Sequence, residues 1–166
     1  MKRILSIIAP LNYQDKEYGD SKMALEAAGH SVITASTVLS AHGALGGSIE
    51  ADMLLSDINP SDYDAVIFVG GGGCFDYFDD PTAQKIAKDF FNANKITAAI
   101  CAAPSIFANA ELLNGVTATC FPSQAEHITE MGANYTGAEV EQDGLMITAS
   151  GPLAATKFGE RIAEAL

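Results

Sequence analysis

Short apolar runs without polar alternation recur along this chain, and they narrow its possible folds more than any other feature. Ile4-Leu5-Ser6-Ile7-Ile8-Ala9, Asp64-Ala65-Val66-Ile67-Phe68-Val69 and Ile96-Thr97-Ala98-Ala99-Ile100 each read as a strand covered on both faces. A strand with one wet face would alternate. Between them lie helical stretches: Lys16 to Ala28, closed by Gly29, and a segment from Asp80-Pro81 to about Asn94, with an N-cap and a first-turn proline. His30 to Ser36 supplies a second strand. Strands and helices in alternation predict an α/β fold with a mostly parallel sheet and helices on both faces.

The rest of the chain continues the pattern. Thr37 to Asn59 reads as irregular, with a short extended piece around Ser48 to Asp52. After Cys101 a helix is predicted to end at Asn114-Gly115, followed by a strand at Val116 to Thr119 and a helix from Pro122 to Met131. Glu139 to Thr148, turning at Asp143-Gly144, predicts a small β-hairpin near the C-terminus, and Gly151-Pro152 opens a closing helix to Leu166. With 166 residues, no low-complexity linker and no internal repeat, the expectation is a single domain over 1–166.

Charge and cysteine usage exclude several function classes. Against 21 Asp+Glu stand only 9 Lys+Arg, a formal net charge of −12, which leaves no basic stripe for phosphates. Nucleic acid and anionic membrane are therefore excluded as partners. The apolar stretch Ile4 to Ala9 is too short for a signal-peptide core, and no run approaches membrane-spanning length. Three cysteines at irregular spacing form no disulfide framework, which points to a reducing cytoplasm.

One of those cysteines sits where chemistry is easily placed. Cys101 ends a buried strand, and Ala102-Ala103-Pro104-Ser105 begins a helix. The first amides of that helix, including that of Ala102, would face the sulfur and favour a thiolate nucleophile. The same junction also suits a cysteine serving only as core filler. Parallel sheets build sites outside the carboxyl ends of their strands, a rule that brings the loop after Ala9, the run Gly70-Gly71-Gly72-Gly73 and Cys101 to one rim. No Gly-Lys-Ser/Thr follows the glycines, and dinucleotide spacing fails at Phe75, so no nucleotide cofactor is expected. The Gly70 and Gly71 amides can instead approach an anion, as oxyanion donors.

Cys74, just past the glycines, either packs or resolves an oxidised Cys101, and Cys120 ends a core strand. No C-x-x-C spacing supports a metal. Glu126, His127 and Glu130 share a helical face that suits solvent better than a metal ion, His30 reads as a polar lead-in to a strand after Gly29, and His42, among glycines in a loop, has no assigned role.

Taken together, Asp15-Lys16-Glu17, Ala27-Ala28-Gly29-His30, Val69-Gly70-Gly71, Ala99-Ile100-Cys101-Ala102-Ala103-Pro104, Asp143-Gly144 and Ser150-Gly151-Pro152 resemble the ThiJ/PfpI superfamily over essentially the whole length. That superfamily includes the parkinsonism-associated deglycase/chaperone and the intracellular proteases named after PfpI. The resemblance implies a flavodoxin-like three-layer sandwich, a homodimer, Cys101 on a strained nucleophile elbow and Glu17 as its conserved acid. On sequence alone Glu17 would also suit a solvated first turn of a helix. A carboxyl buried beside the sulfur would have its pKa raised and could move protons.

Two departures from the family pattern narrow the chemistry. The protease-like branch has a histidine directly after the cysteine, where this chain has Ala102; the deglycase branch has one in the loop after the next strand, where Phe121 stands here. Amide hydrolysis needs a proton delivered to the leaving amine, whereas addition of sulfur to an aldehyde does not. The expected function is therefore a cysteine-dependent enzyme acting on small reactive carbonyls or glycated adducts, with Cys101 and Glu17 catalytic, Gly70, Gly71 and Ala102 as backbone donors, and Cys74, Phe121 and Gly151 nearby. A redox-sensing or chaperone-like dimer with an oxidisable Cys101 is the second reading, and an intracellular peptidase or amidase the third.

Overall fold

The computed structural model describes residues 1–166. The first half of the chain forms β1 (Arg3–Ile7), β2 (Leu11–Tyr13), α1 (Asp15–Ala27), β3 (Ser31–Ser36), β4 (Ser40–Gly43), β5 (Ser48–Glu50), β6 (Met53–Leu54), β7 (Ala65–Phe68) and α2 (Pro81–Asn92). The second half forms β8 (Ile96–Ile100), α3 (Pro104–Asn109), β9 (Thr117–Ala118), α4 (Ala125–Glu130), β10 (Asn134–Tyr135), β11 (Val140–Asp143), β12 (Met146–Ala149) and α5 (Ala155–Ala165). Seven strands make the central sheet in the order β11-β12-β8-β7-β1-β3-β6. Only β11 runs antiparallel, as one arm of the C-terminal hairpin with β12.

This is the flavodoxin-like α/β architecture expected from the apolar runs. All residues of β7 and β8 are buried, as are the last four of β1, so these three central strands lack a wet face. The β1-α1-β3 crossover travels one way along the sheet and β7-α2-β8 the other. Right-handed crossovers then set α1 and α2 on opposite faces. Helices α1 and α5 pack against each other, and α2 packs on α3. Between β1 and β7 the direction of winding reverses, and the crevice at their carboxyl ends is where such sheets hold their sites.

The differences from expectation are local. Helix α3 stops at Asn109, not at Asn114, because Glu111 takes φ 61 and the amide of Leu112 donates to Phe107 O at 2.9 Å, the bond pattern that closes a helix. Thr37 to Asn59 holds three short strands: β4 and β5 join β2 in a separate sheet, and β6 edges the main one. The strand expected at Val116 to Thr119 does not enter the central sheet; its two residues pair with β10. The predicted Pro122–Met131 helix is divided into a 3-10 turn, Pro122–Gln124, and α4. Likewise the closing helix begins with a 3-10 turn at Pro152–Ala154.

Candidate active site

Three strand ends deliver the site. The chain leaving β1 forms β2 and turns into α1, where the Gln14 side chain caps the helix by accepting from the amides of Lys16 at 2.7 Å and Glu17 at 3.1 Å. The Gln14 amide itself donates to Gly70 O at 3.0 Å, tying the helix start to the loop after β7. Glu17 is fully buried, and its Oε2 accepts the Gly70 amide at 2.9 Å. No amide or hydroxyl reaches the buried Oε1.

Cys101 follows β8 with φ 66, a left-handed conformation that costs a non-glycine residue about 1–2 kcal/mol. Its amide donates to Ala149 O at 2.9 Å and its carbonyl accepts the Phe121 amide at 2.8 Å, so neighbouring segments on both sides hold the bend. The side chain is nearly buried, at 8% exposure. Gly70 fills the space between acid and sulfur. A Cβ there would stand 2.6 Å from both Cys101 Cβ and Glu17 Oε2, so only glycine lets the two groups meet.

Burial dominates the electrostatics. Desolvation lifts the Glu17 carboxyl from 4.5 to about 7, against the lowering from the neighbouring Cys101 thiol and from the Gly70 amide that bonds to it. The Cys101 thiol is pushed up to about 12 by burial and by the charge of Glu17, outweighing the opposite pull of the nearby Gly71 and Ala102 amides. Burial thus works against the thiolate expected from the helix start. Near neutral pH the pair is a thiol beside a carboxyl group poised to take its proton, and the two titrate as a unit.

Gly70 is also corrected: its amide is occupied by Glu17, which leaves Gly71 and Ala102 as the donors directed at sulfur. Cys74 is fully buried, its thiol raised by desolvation and then by the charges of Cys101 and Glu17. Phe121 is 43% exposed, and its ring lies against Gly151, where a Cβ would stand 3.3 Å from ring Cδ2. Cys120 is buried, and burial raises its thiol to about 12. The histidines are engaged or placed elsewhere: His30 Nδ1 accepts the Lys2 amide, His127 Nε2 bonds Asn109 Oδ1 at 2.7 Å, and His42 is exposed on β4.

Sequence reasoning missed Gln14, because glutamine is not among the favoured capping residues and its link to Gly70 joins distant parts of the chain. It also missed Asp15. Its carboxylate accepts the Leu45 and Gly47 amides, each at 2.7 Å, and clasps the β4–β5 turn to the start of α1.

The sequence profile of the DJ-1/PfpI family matches residues 2–165. A crystal structure of a ThiJ/PfpI domain protein from Brachyspira murdochii, 35% identical, superposes with a TM-score of 0.96 over 98% of this chain and 95% of that one. A deglycase of Pyrococcus horikoshii is 30% identical over 77% of this chain and 78% of its own length. A Bacillus subtilis protein named as a candidate cysteine protease is 29% identical, covering 92% of this chain and 91% of its own.

Proposed function

Because the chain belongs to the DJ-1/PfpI family, we propose that it is a cysteine-dependent enzyme acting on small reactive carbonyls, 2-oxoaldehydes such as methylglyoxal among them. The observation that carries this reading is a fully buried carboxyl, lifted to about 7, set beside a thiol at a strained strand-to-helix bend across a glycine that leaves room for both, with no histidine among the groups acting on that thiol. A proton-transfer group works best when its pKa lies near the working pH.

The chemistry then closes without an external oxidant. As sulfur bonds to the aldehyde carbon, its proton passes to the Glu17 carboxylate, and the same proton moves on to the new alkoxide, giving a hemithioacetal. The nearby Gly71 and Ala102 amides steady charge developing on the sulfur. Glu17 next carries the C1 hydrogen as a proton to C2 through an enediol, while the C1 hydroxyl proton passes to the C2 oxygen, so C1 is oxidised and C2 reduced, leaving a 2-hydroxyacyl thioester. Water cleaves the thioester, releasing the 2-hydroxy acid and restoring the thiol. Peptide cleavage is less well served, since no imidazole stands by to protonate a departing amine.

Purified protein given methylglyoxal is expected to produce lactate, and Cys101→Ser to produce none above background. Glu17→Gln should lower kcat/KM by about 10²–10⁴-fold and remove a rise in rate with pH centred near 7. A folded wild-type protein that forms no lactate, or full activity in Cys101→Ser, overturns the proposal.

A further inference from the structure

A cavity of about 250 Å³ opens beside the elbow, lined by Phe121, Pro122, Tyr135, Ser150, Gly151 and Leu153 among others. Both wall segments are attached to the nucleophile's backbone. Phe121 donates its amide to Cys101 O at 2.8 Å, and Ala149, which precedes Ser150, accepts the Cys101 amide at 2.9 Å. The lining thus begins beside the Cys101 backbone, at Phe121 itself on one side and at Ser150, one residue on from Ala149, on the other. No charged side chain lines it, in a protein carrying 21 acidic residues. At its mouth Leu153 stands 93% exposed and Phe121 43%, apolar surface that a ligand would take out of water. Benzene is held by an apolar cavity of about 150 Å³, so this one has room for an aromatic ring.

We infer that this cavity is a specificity subsite, and that Phe121, at its wall, selects carbonyl substrates whose second substituent is aromatic or similarly bulky and uncharged. The inference rests on the carbonyl chemistry proposed above and adds the identity of the group attached to it. Binding such a group in the cavity presents the adjoining aldehyde to Cys101. A methyl group leaves the cavity unfilled, and an anionic group would enter a chargeless pocket without a counter-ion.

Comparison of phenylglyoxal with methylglyoxal tests this directly. The wild-type protein is expected to favour phenylglyoxal at least about 10-fold in kcat/KM, the order of discrimination an apolar pocket supplies. Phe121→Ala should cut that preference severalfold, chiefly through a raised KM for phenylglyoxal. Leu153→Ala, at a position too exposed to threaten folding, should reduce the preference in the same sense. Equal use of both substrates, unchanged in both variants, overturns the subsite and leaves the carbonyl reading intact. No turnover of either substrate overturns the carbonyl reading, and a binding experiment then decides the subsite alone. Acetophenone, which lacks the aldehyde, titrated into Cys101→Ser should saturably shift the amide resonances of Phe121, Gly151 and Leu153; shifts that miss these three residues overturn the assignment.

Discussion

Glu17 is held in the fold at the expense of stability whenever it is charged. Its folded-state pKa, about 7, lies above the unfolded value of 4.5, so the native protein binds the extra proton between these limits. Its contribution is complete below about pH 4.5 and is lost as pH rises through 7, amounting to about 3 kcal/mol for a shift of this size. Denaturant melts of wild type and Glu17→Gln at pH 5 and pH 8 should show the variant gaining relative stability at the higher pH; parallel profiles would rule the idea out. Gly70→Ala is expected to part the acid from the sulfur and cost about 1–3 kcal/mol through overpacking, seen as a lowered Tm and loss of lactate formation. The position of Cys101 at a strand end was readable from its flanking residues. Glu17 was readable only through family likeness, since a first-turn glutamate on its own suits solvent. The Gly70 amide was assigned the wrong acceptor because a partner 53 residues away leaves no local trace.

Elements with a long apolar or capped pattern were legible, and those defined by two or three residues were not. Asp80 illustrates the first kind: its Oδ1 accepts the Ala83 amide at 2.7 Å, with Pro81 beside it opening α2 as the sequence suggested. Helix α3 illustrates the second, because it is closed by Glu111 in a conformation usually signalled by glycine, while the glycine that the sequence offers, Gly115, comes later. Strand β5 falls within the extended piece expected around Ser48 to Asp52, whereas β4 escaped notice since its order depends on a partner at the start of α1. Asp15→Ala should therefore free the β4–β5 turn selectively. Hydrogen exchange at the Leu45 and Gly47 amides is expected to accelerate, with a loss of about 1–3 kcal/mol overall. Unchanged protection at both amides would show that the clasp does not order the turn.

At the scale of the whole molecule, the excess of acidic groups repels itself. Of the six ion pairs, four are helix-spaced neighbours and all lie at or near the surface, where each contributes little. Raising ionic strength from about 0.01 M to 0.15 M shortens the screening length from roughly 30 to 8 Å and should raise Tm by a few degrees at neutral pH. A Tm that falls over this range would place the dominant charge effect in attractive pairs instead. No helix is long and apolar enough to cross a membrane. The parallel order of the sheet, and so the rim on which the site stands, was implied by strands lacking a wet face.

All three sulfurs are sheltered, Cys74 and Cys120 at 0% exposure and Cys101 at 8%, each with its ionisation pushed upward. The chain consequently carries its own graded gauge of opening. Transient loosening at the rim lays bare one thiol to an alkylating reagent, whereas all three become available only when the interior comes apart, so the ratio of singly to triply tagged molecules separates breathing from collapse in one mass spectrum.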